Sequence, residues 1–317
     1  YAMISVNERA LKNVLLMMED AESLGVTVHR LPNGSNVLDC GIEVPGSLEA
    51  GRLYAEACMG GLAQISFCDL DLEGLWLPGV RVVVGQPPIS CLGAQYAGWD
   101  VKVGDFAAMG SGPARALHAS DPIFDHITYQ DEADIGVLAL ETGDLPGDDV
   151  TDYVADKCSI STENLYLLVA PTASLVGSVQ VAARTVETGL HKMVEIGFDV
   201  NVLLSGFGRC PLPPVAANDL EAIGRTNDAV LYGGEAWYTA RTDDEAIEKV
   251  IDLLPSSASK DYGKSFLDLL KRSHGSFYEI DPLLFSPAEV YVNNTTTGRT
   301  FHAGSVDVDI VRRVLLG

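Results

Sequence analysis

Short apolar runs rich in aliphatic residues recur along the chain at 79–84, 135–140, 165–169, 200–204 and 229–232, with stretches of helical spacing between them. Runs of that length suit strands, and strands that alternate with helices make layered α/β structure. At 317 residues the chain is longer than a single core usually serves, so two domains are expected.

Both ends read as a hairpin followed by a helix. Ser5 stands three residues before Glu8, a capping-box pattern, and Leu11, Val14, Leu15 and Met18 follow at helical spacing, predicting an amphipathic helix over 7–23 that Gly25 ends. Strand patterns at 26–29 and 37–44 flank the turn residues Pro32-Asn33-Gly34-Ser35, and 48–58 is helical. Near the other end, 288–292 and 300–303 are strand patterns around a turn at 293–298, and 308–316 is helical. The expected architecture is two α/β domains. The first can be discontinuous, joining 1–90 to 286–317, and the second covers 91–285.

Charge narrows the partners. Against 44 Asp and Glu stand 21 Lys and Arg, a net charge of −23. Binding a phosphate backbone or an anionic membrane surface rests on Lys and Arg, so neither nucleic acid nor membrane is an expected partner. Residues 116–156 hold eleven acidic side chains and no Lys or Arg, which reads as a solvated acidic face. The sequence opens without a basic region followed by an apolar core, so no signal peptide is expected and a cytoplasmic location is. The one long uncharged stretch, 165–183, contains Pro171, Gly177 and several hydroxyl residues, and reads as strand, turn and helix start.

The metal-binding patterns are missing. Six cysteines lie far apart without a Cys-x-x-Cys pair, and six histidines form neither His-x-His nor His-Glu-x-x-His. No Gly-x-Ser-x-Gly elbow or phosphate-binding Walker loop is present either.

Four segments hold more interest. In Gly110-Ser111-Gly112-Pro113, glycines precede a proline suited to a helix start, so backbone N–H groups there could hold an anion or let a flat ligand approach; a short Gly-x-Gly is weak evidence, and a plain strand-to-helix turn is the better reading of the residues alone. Beyond Pro171, Val176, Val179, Ala183, Val186, Leu190 and Met193 form the apolar face of one predicted helix, with Gln180, Arg184, Glu187 and His191 as a polar stripe on its flank. Arg184 and Glu187, three apart, can meet either as a surface ion pair or as a general base with its tuning cation. The Gly- and Pro-rich segments 205–214 and 223–229 read as loops that either shape a pocket or simply turn.

Taken together, these segments resemble the methenyltetrahydromethanopterin cyclohydrolase family. The resemblance is carried by Pro88-Ile89-Ser90-Cys91, Gln95-Tyr96-Ala97-Gly98-Trp99, Met109-Gly110-Ser111-Gly112-Pro113-Ala114-Arg115-Ala116, Ala183-Arg184-Thr185-Val186-Glu187, the segments 205–214 and 223–234, Asp261-Tyr262-Gly263-Lys264, and Tyr278-Glu279-Ile280-Asp281-Pro282-Leu283-Leu284-Phe285-Ser286-Pro287-Ala288-Glu289. It implies a metal-free hydrolase that adds water to the cationic methenyl bridge of a pterin carrier and opens it reversibly to the 5-formyl derivative. The carrier, tetrahydromethanopterin, is then a substrate, and no resident cofactor is expected. An interdomain cleft and a homotrimer are implied as well, with Arg184 and Glu187 as the catalytic pair. For the pterin, Phe285 supplies a flat apolar surface, and Ser111, Gly112 and Gln95 supply hydrogen-bonding groups. Arg225, Lys264 and Arg299 are the cations considered for the carrier's anionic tail. Two other readings remain open: a non-catalytic acidic binding or scaffold protein, and another pterin-linked one-carbon enzyme. A nicotinamide-dependent one would show a dinucleotide fingerprint, which this sequence lacks.

Overall fold

The computed structural model describes residues 4–273 and 279–317; Tyr278, which opens one of the matching stretches, lies outside them. In chain order the N-terminal part carries α1 (Val6–Glu19), α2 (Ala21–Leu24), β1 (Thr27–Arg30), β2 (Asn36–Asp39), α3 (Leu48–Cys58), β3 (Ala63–Leu72) and β4 (Leu75–Gly85). A π-helical segment, Pro88–Gln95, leads into β5 (Trp99–Val103), β6 (Phe106–Ser111), α4 (Arg115–His118), β7 (Gly136–Glu141), α5 (Asp148–Cys158), β8 (Leu165–Ala170) and α6 (Leu175–Ala182). Then come α7 (Thr185–Glu195), β9 (Leu203–Pro211), α8 (Asp219–Gly233), β10 (Glu235–Ala240), α9 (Asp244–Glu248), α10 (Phe266–Arg272), β11 (Glu289–Asn294), β12 (Thr300–Gly304) and α11 (Val308–Leu316).

These elements form two α/β units, each discontinuous: residues 1–63 with 89–180, and residues 64–88 with 181–317. The expected pairing of 1–90 with 286–317 is not the one observed. Strands β1 and β2 belong to one sheet and β11 and β12 to the other, because each end hairpin pairs with a different set of distant strands.

The first unit holds a six-stranded sheet in the order β1-β2-β8-β7-β6-β5. Its centre, β2-β8-β7, is parallel, and the strands outside it pair antiparallel. Parallel strands are covered on both faces, which is why 135–140 and 165–169 are continuously apolar rather than alternating. On one face Leu38, Ala139, Leu168 and Ala170 pack with Val14 and Met17 of α1, Tyr54 and Cys58 of α3, and Val176 of α6. On the other, Val37, Leu138, Leu140, Leu167 and Val169 pack with Val150, Val154 and Cys158 of α5. Helix α1 starts where the capping pattern placed it, since the Ser5 hydroxyl accepts a hydrogen bond from the Glu8 backbone N–H at 3.1 Å. Strand β2 stops at Asp39, short of the expected 44, because the Asp39 carboxylate accepts hydrogen bonds from the backbone N–H groups of Gly41, Ile42 and Glu43 and closes a turn.

The second unit's sheet runs β12-β11-β10-β9-β4-β3, mostly antiparallel, with β10 and β11 parallel. Burial alternates along β4 and β9, as expected when one face is packed and the other open. Helices α7 and α8 cover the packed face. Two sequence expectations give way here. The run 229–232 is the buried end of helix α8, started by Asn218, whose side chain accepts from the Glu221 N–H; a short apolar run does not by itself separate strand from buried helix. The segment 205–211 is strand, with Gly206 and Gly208 on its packed side.

Candidate functional site

The helix expected over 176–193 is two helices. α6 ends at Ala182, and the chain turns through Ala183 and Arg184, where the Arg184 N–H donates to the Val181 carbonyl at 3.0 Å, before α7 begins. The polar stripe is therefore divided. Gln180 belongs to the first unit, and Arg184, Glu187 and His191 to the second.

The position of α7 is set by glycines. A Cβ on Gly208 would lie 2.5 Å from the Thr185 side chain and 2.8 Å from that of Val186, and one on Gly206 would lie 2.7 Å from Val186. The first turn of α7 thus rests directly on the backbone of β9, a closeness only glycine permits. On the helix itself Gly189 leaves room for the Tyr238 ring, whose hydroxyl donates to the Val186 carbonyl at 2.8 Å. These contacts bracket Glu187.

Glu187 is 4% exposed, and its Oε2 lies 3.8 Å from Nη1 of Arg184. That is ion-pair range without a tight hydrogen bond. The carboxylate also sits in the first turn of α7, where the helix dipole favours negative charge. His191, one turn further on, has its pKa pushed down by burial, against the smaller opposing pull of Glu195, so it adds no positive charge beside the carboxylate at neutral pH.

One residue here escaped the sequence reading. Lys192 is 0% exposed, and its Nζ donates to the Leu283 carbonyl. Burial pushes its pKa down to about 8 despite the attraction of Asp281. Asp281 in turn accepts from the Leu283 N–H at 3.1 Å and the Ser259 hydroxyl at 2.8 Å. The segment that presents Phe285 is thereby tied to α7, and the Phe285 ring meets Phe266 edge-on at 5.6 Å. Spacing gives no hint of this, because a lysine on an exposed helix face obeys the same pattern.

The cations considered for the carrier's tail have partners within their own unit. Arg225 donates to the carbonyls of Pro214 and Val215, Lys264 pairs with Asp261 at 2.7 Å, and Arg299 bridges Asp244 and Glu248.

In the first unit, Gln95, Ser111 and Gly112 are drawn together. Gly112, at φ +109°, donates its N–H to the Ala94 carbonyl at 2.8 Å, next to Gln95. Arg115 fastens the same knot: its Nη1 donates to the carbonyls of Leu92 and Ala94 at 3.1 Å, its Nη2 meets Asp121, and its guanidinium lies over the Tyr96 and Phe124 rings. The anion-holding role open to this glycine turn is not what the backbone offers. The N–H groups of Gly112, Ala114 and Arg115 already donate to the carbonyls of Ala94, Val137 and Gly112, and α4 is a single turn. Nothing in the sequence marks Arg115 as buried.

Among the described residues, His29, Asp39 and Glu43 bring possible metal-ligand atoms within 4.8 Å of one another, with Asp39 already closing its turn. A hollow of about 400 Å³ lined by Gly197, Phe198, Thr242 and Lys249, among others, includes none of the candidates. No helix among the described residues is long and apolar enough to cross a membrane.

The profile of the Cyclohydrolase (MCH) family matches residues 5–315. The methenyltetrahydromethanopterin cyclohydrolase of Methanothermobacter marburgensis is 49% identical, covering 98% of this chain and 99% of its own length. Those of Methanocaldococcus jannaschii and Methanococcoides burtonii are 47% and 39% identical, covering 99% and 98% of this chain and 98% and 97% of their own lengths.

Proposed function

The chain belongs to the methenyltetrahydromethanopterin cyclohydrolase family, and from that membership we propose that it reversibly hydrolyses the methenyl bridge of methenyl-tetrahydromethanopterin to the 5-formyl derivative. The observation that carries the mechanism is the Arg184–Glu187 pair, in which a partly buried arginine just ahead of α7 meets a buried carboxylate in its first turn. The methenyl carbon lies between two nitrogens that share a positive charge. It is electrophilic already and requires no Lewis acid. Glu187 takes a proton from water as the oxygen attacks, and Arg184 orients the carboxylate and keeps it charged. The adduct then collapses: its hydroxyl becomes the formyl oxygen, the bond from carbon to the second nitrogen breaks, and that nitrogen gains a proton. One proton is released per turnover.

Phe285 is assigned to the flat ring system, Gln95, Ser111 and the second lone pair of the Gly112 carbonyl to hydrogen bonding, and Arg225 and Lys264 to the tail. No resident metal or cofactor takes part. The location proposed is the cytoplasm, in keeping with six cysteines spread along the chain without a secreted-type disulfide spacing.

A homotrimer is the proposed assembly. Beyond the resemblance, it is supported by a row across the open face of the second unit's sheet: Val83, Phe207, Trp237, Tyr291 and His302 are cross-strand neighbours. The first three are 42, 41 and 40% exposed, and Trp237, Tyr291 and His302 stack. A patch of that kind is unusual on a monomer. The test of the activity is direct. Adding the protein to the methenyl carrier should abolish its near-ultraviolet absorbance and acidify a weakly buffered solution; unchanged absorbance would leave only a binding role.

A further inference from the structure

The carboxyl ends of the parallel strands in the first unit hold a carboxylate that the reaction above does not use. Glu141 is the last residue of β7 and pairs with Ala170, the last of β8. The chain leaves these neighbouring strands in opposite directions. After β7 it enters α5, which packs with Leu138 and Leu140; after β8 it enters α6, whose Val176 packs with Ala139 and Ala170 on the other face. Adjacent parallel strands whose connections part to opposite faces open a crevice at their carboxyl ends, where α/β proteins bind ligands. Glu141 stands at that point, half-buried.

Its two oxygens are held apart by two buried side chains. The Thr172 hydroxyl donates to Oε1 at 2.5 Å and the Gln180 amide donates to Oε2 at 2.9 Å. Thr172 and Gln180 are 3% and 4% exposed. A carboxylate oxygen accepts two hydrogen bonds, so each oxygen retains one acceptor position. One brace on each oxygen fixes the plane of the group and leaves an acceptor position on both. This geometry suits two N–H donors on adjacent atoms of a flat heterocycle. The pyrimidine edge of a pterin, a ring N–H beside an exocyclic amine, presents that pair.

We propose that Glu141, braced by Thr172 and Gln180, binds the ring N–H and 2-amino group of the pterin through a bidentate hydrogen bond. The proposal rests on the pterin-carrier reading above. It assigns Glu141 to substrate recognition, whereas the proton transfer belongs to Glu187.

The test compares wild type with Glu141→Gln on the methenyl carrier and on an analogue lacking the 2-amino group. A bidentate pair of this kind discriminates by roughly 10- to 100-fold. In wild type, removing the 2-amino group should raise KM by a factor in that range, with kcat within about threefold. In Glu141→Gln, KM for the natural carrier should rise by a similar factor, and removal of the amino group should add little. A merely structural role would not produce that loss of discrimination. A wild-type KM in the variant, or full discrimination retained, overturns the proposal. Thr172→Val serves as the second variant should Glu141→Gln not fold: it leaves the charge but frees one oxygen, and should lower the discrimination, whereas wild-type discrimination counts against the bracing. Calorimetric binding of the 5-formyl carrier and its analogue separates the two readings. Wild-type binding that depends on the 2-amino group, without hydrolysis, removes the cyclohydrolase reaction and keeps this site; binding that ignores the group removes the site alone; and no binding at all removes both.

Discussion

Replacing Gly208 by alanine tests whether the height of α7 above the sheet sets the chemistry. The added Cβ would lie 2.5 Å from the Thr185 side chain and 2.8 Å from that of Val186, against a comfortable carbon–carbon separation of about 3.5–4.0 Å. Roughly 1 Å must therefore be found. β9 cannot supply it, because Gly208 is paired on both sides, with Val82 of β4 and Ala236 of β10. The helix has to lift, and Glu187 lies one residue beyond Val186. Overpacking of this kind costs about 1–3 kcal/mol, measurable by urea unfolding. A 1 Å misplacement of a catalytic group costs on the order of 10²-fold, so kcat should fall by about that factor while the affinity for the 5-formyl carrier changes little. Gly206→Ala should act in the same direction, since its Cβ would meet Val186 at 2.7 Å; Gly85→Ala, whose Cβ meets nothing within 4 Å, should be silent. If Gly208→Ala loses stability yet keeps kcat within about threefold of wild type, the seat of α7 on β9 does not govern Glu187.

Glu187→Gln should bind the carrier and lose most turnover, about 10²–10⁴-fold in single-turnover absorbance; near wild-type kcat would remove Glu187 from the mechanism. Arg184→Ala should lower activity and shift the pH–rate profile, and an unmoved profile would deny it the tuning role. Lys192→Met should raise KM several-fold with kcat nearly unchanged, because the segment carrying Phe285 loses its tie to α7. Asp228 gives a pH dependence of stability. Burial raises its pKa from 3.8 to about 7, so between those values the folded state binds the proton more tightly, and stability should fall as pH rises through the window. Asp228→Asn can still accept from the Phe266 N–H, and should match wild type in urea below about pH 4 and exceed it above pH 7 by on the order of 2–4 kcal/mol; an equal difference at both pH values contradicts the burial argument.

Local signals in the sequence were reliable where local forces decide. Ser5 caps α1, Gly25 ends the helical stretch in a left-handed conformation, and α11 spans 308–316 as its periodicity indicated. They failed where distant partners decide. The apolar run at 229–232 is helical because α8 is buried on most sides at its end, and the end hairpins part company because β2 pairs with β8 while β11 pairs with β10. At the site, the three-residue spacing of Arg184 and Glu187 was legible, but the break at Ala183 and Arg184 was not, since Val176 to Met193 keeps its apolar period straight through it. Glu141, Lys192 and Arg115 were invisible for one reason: a polar residue drawn inward by a carbonyl or an amide far along the chain looks, in sequence, like any solvated one.

The interleaving of the two units has a consequence for how the protein is made. The hairpin β3–β4 leaves the ribosome early, but the central strand it joins, β9, is synthesised only after the whole remainder of the first unit. Until then β4 presents an unpaired edge bearing Val80, Val82 and Val84, all buried in the finished sheet. Closing that gap is a long-range pairing, slow by nature and open to aggregation while it waits. Nascent chains should therefore depend on holding chaperones through this interval, and no single cut in the gene releases either unit intact.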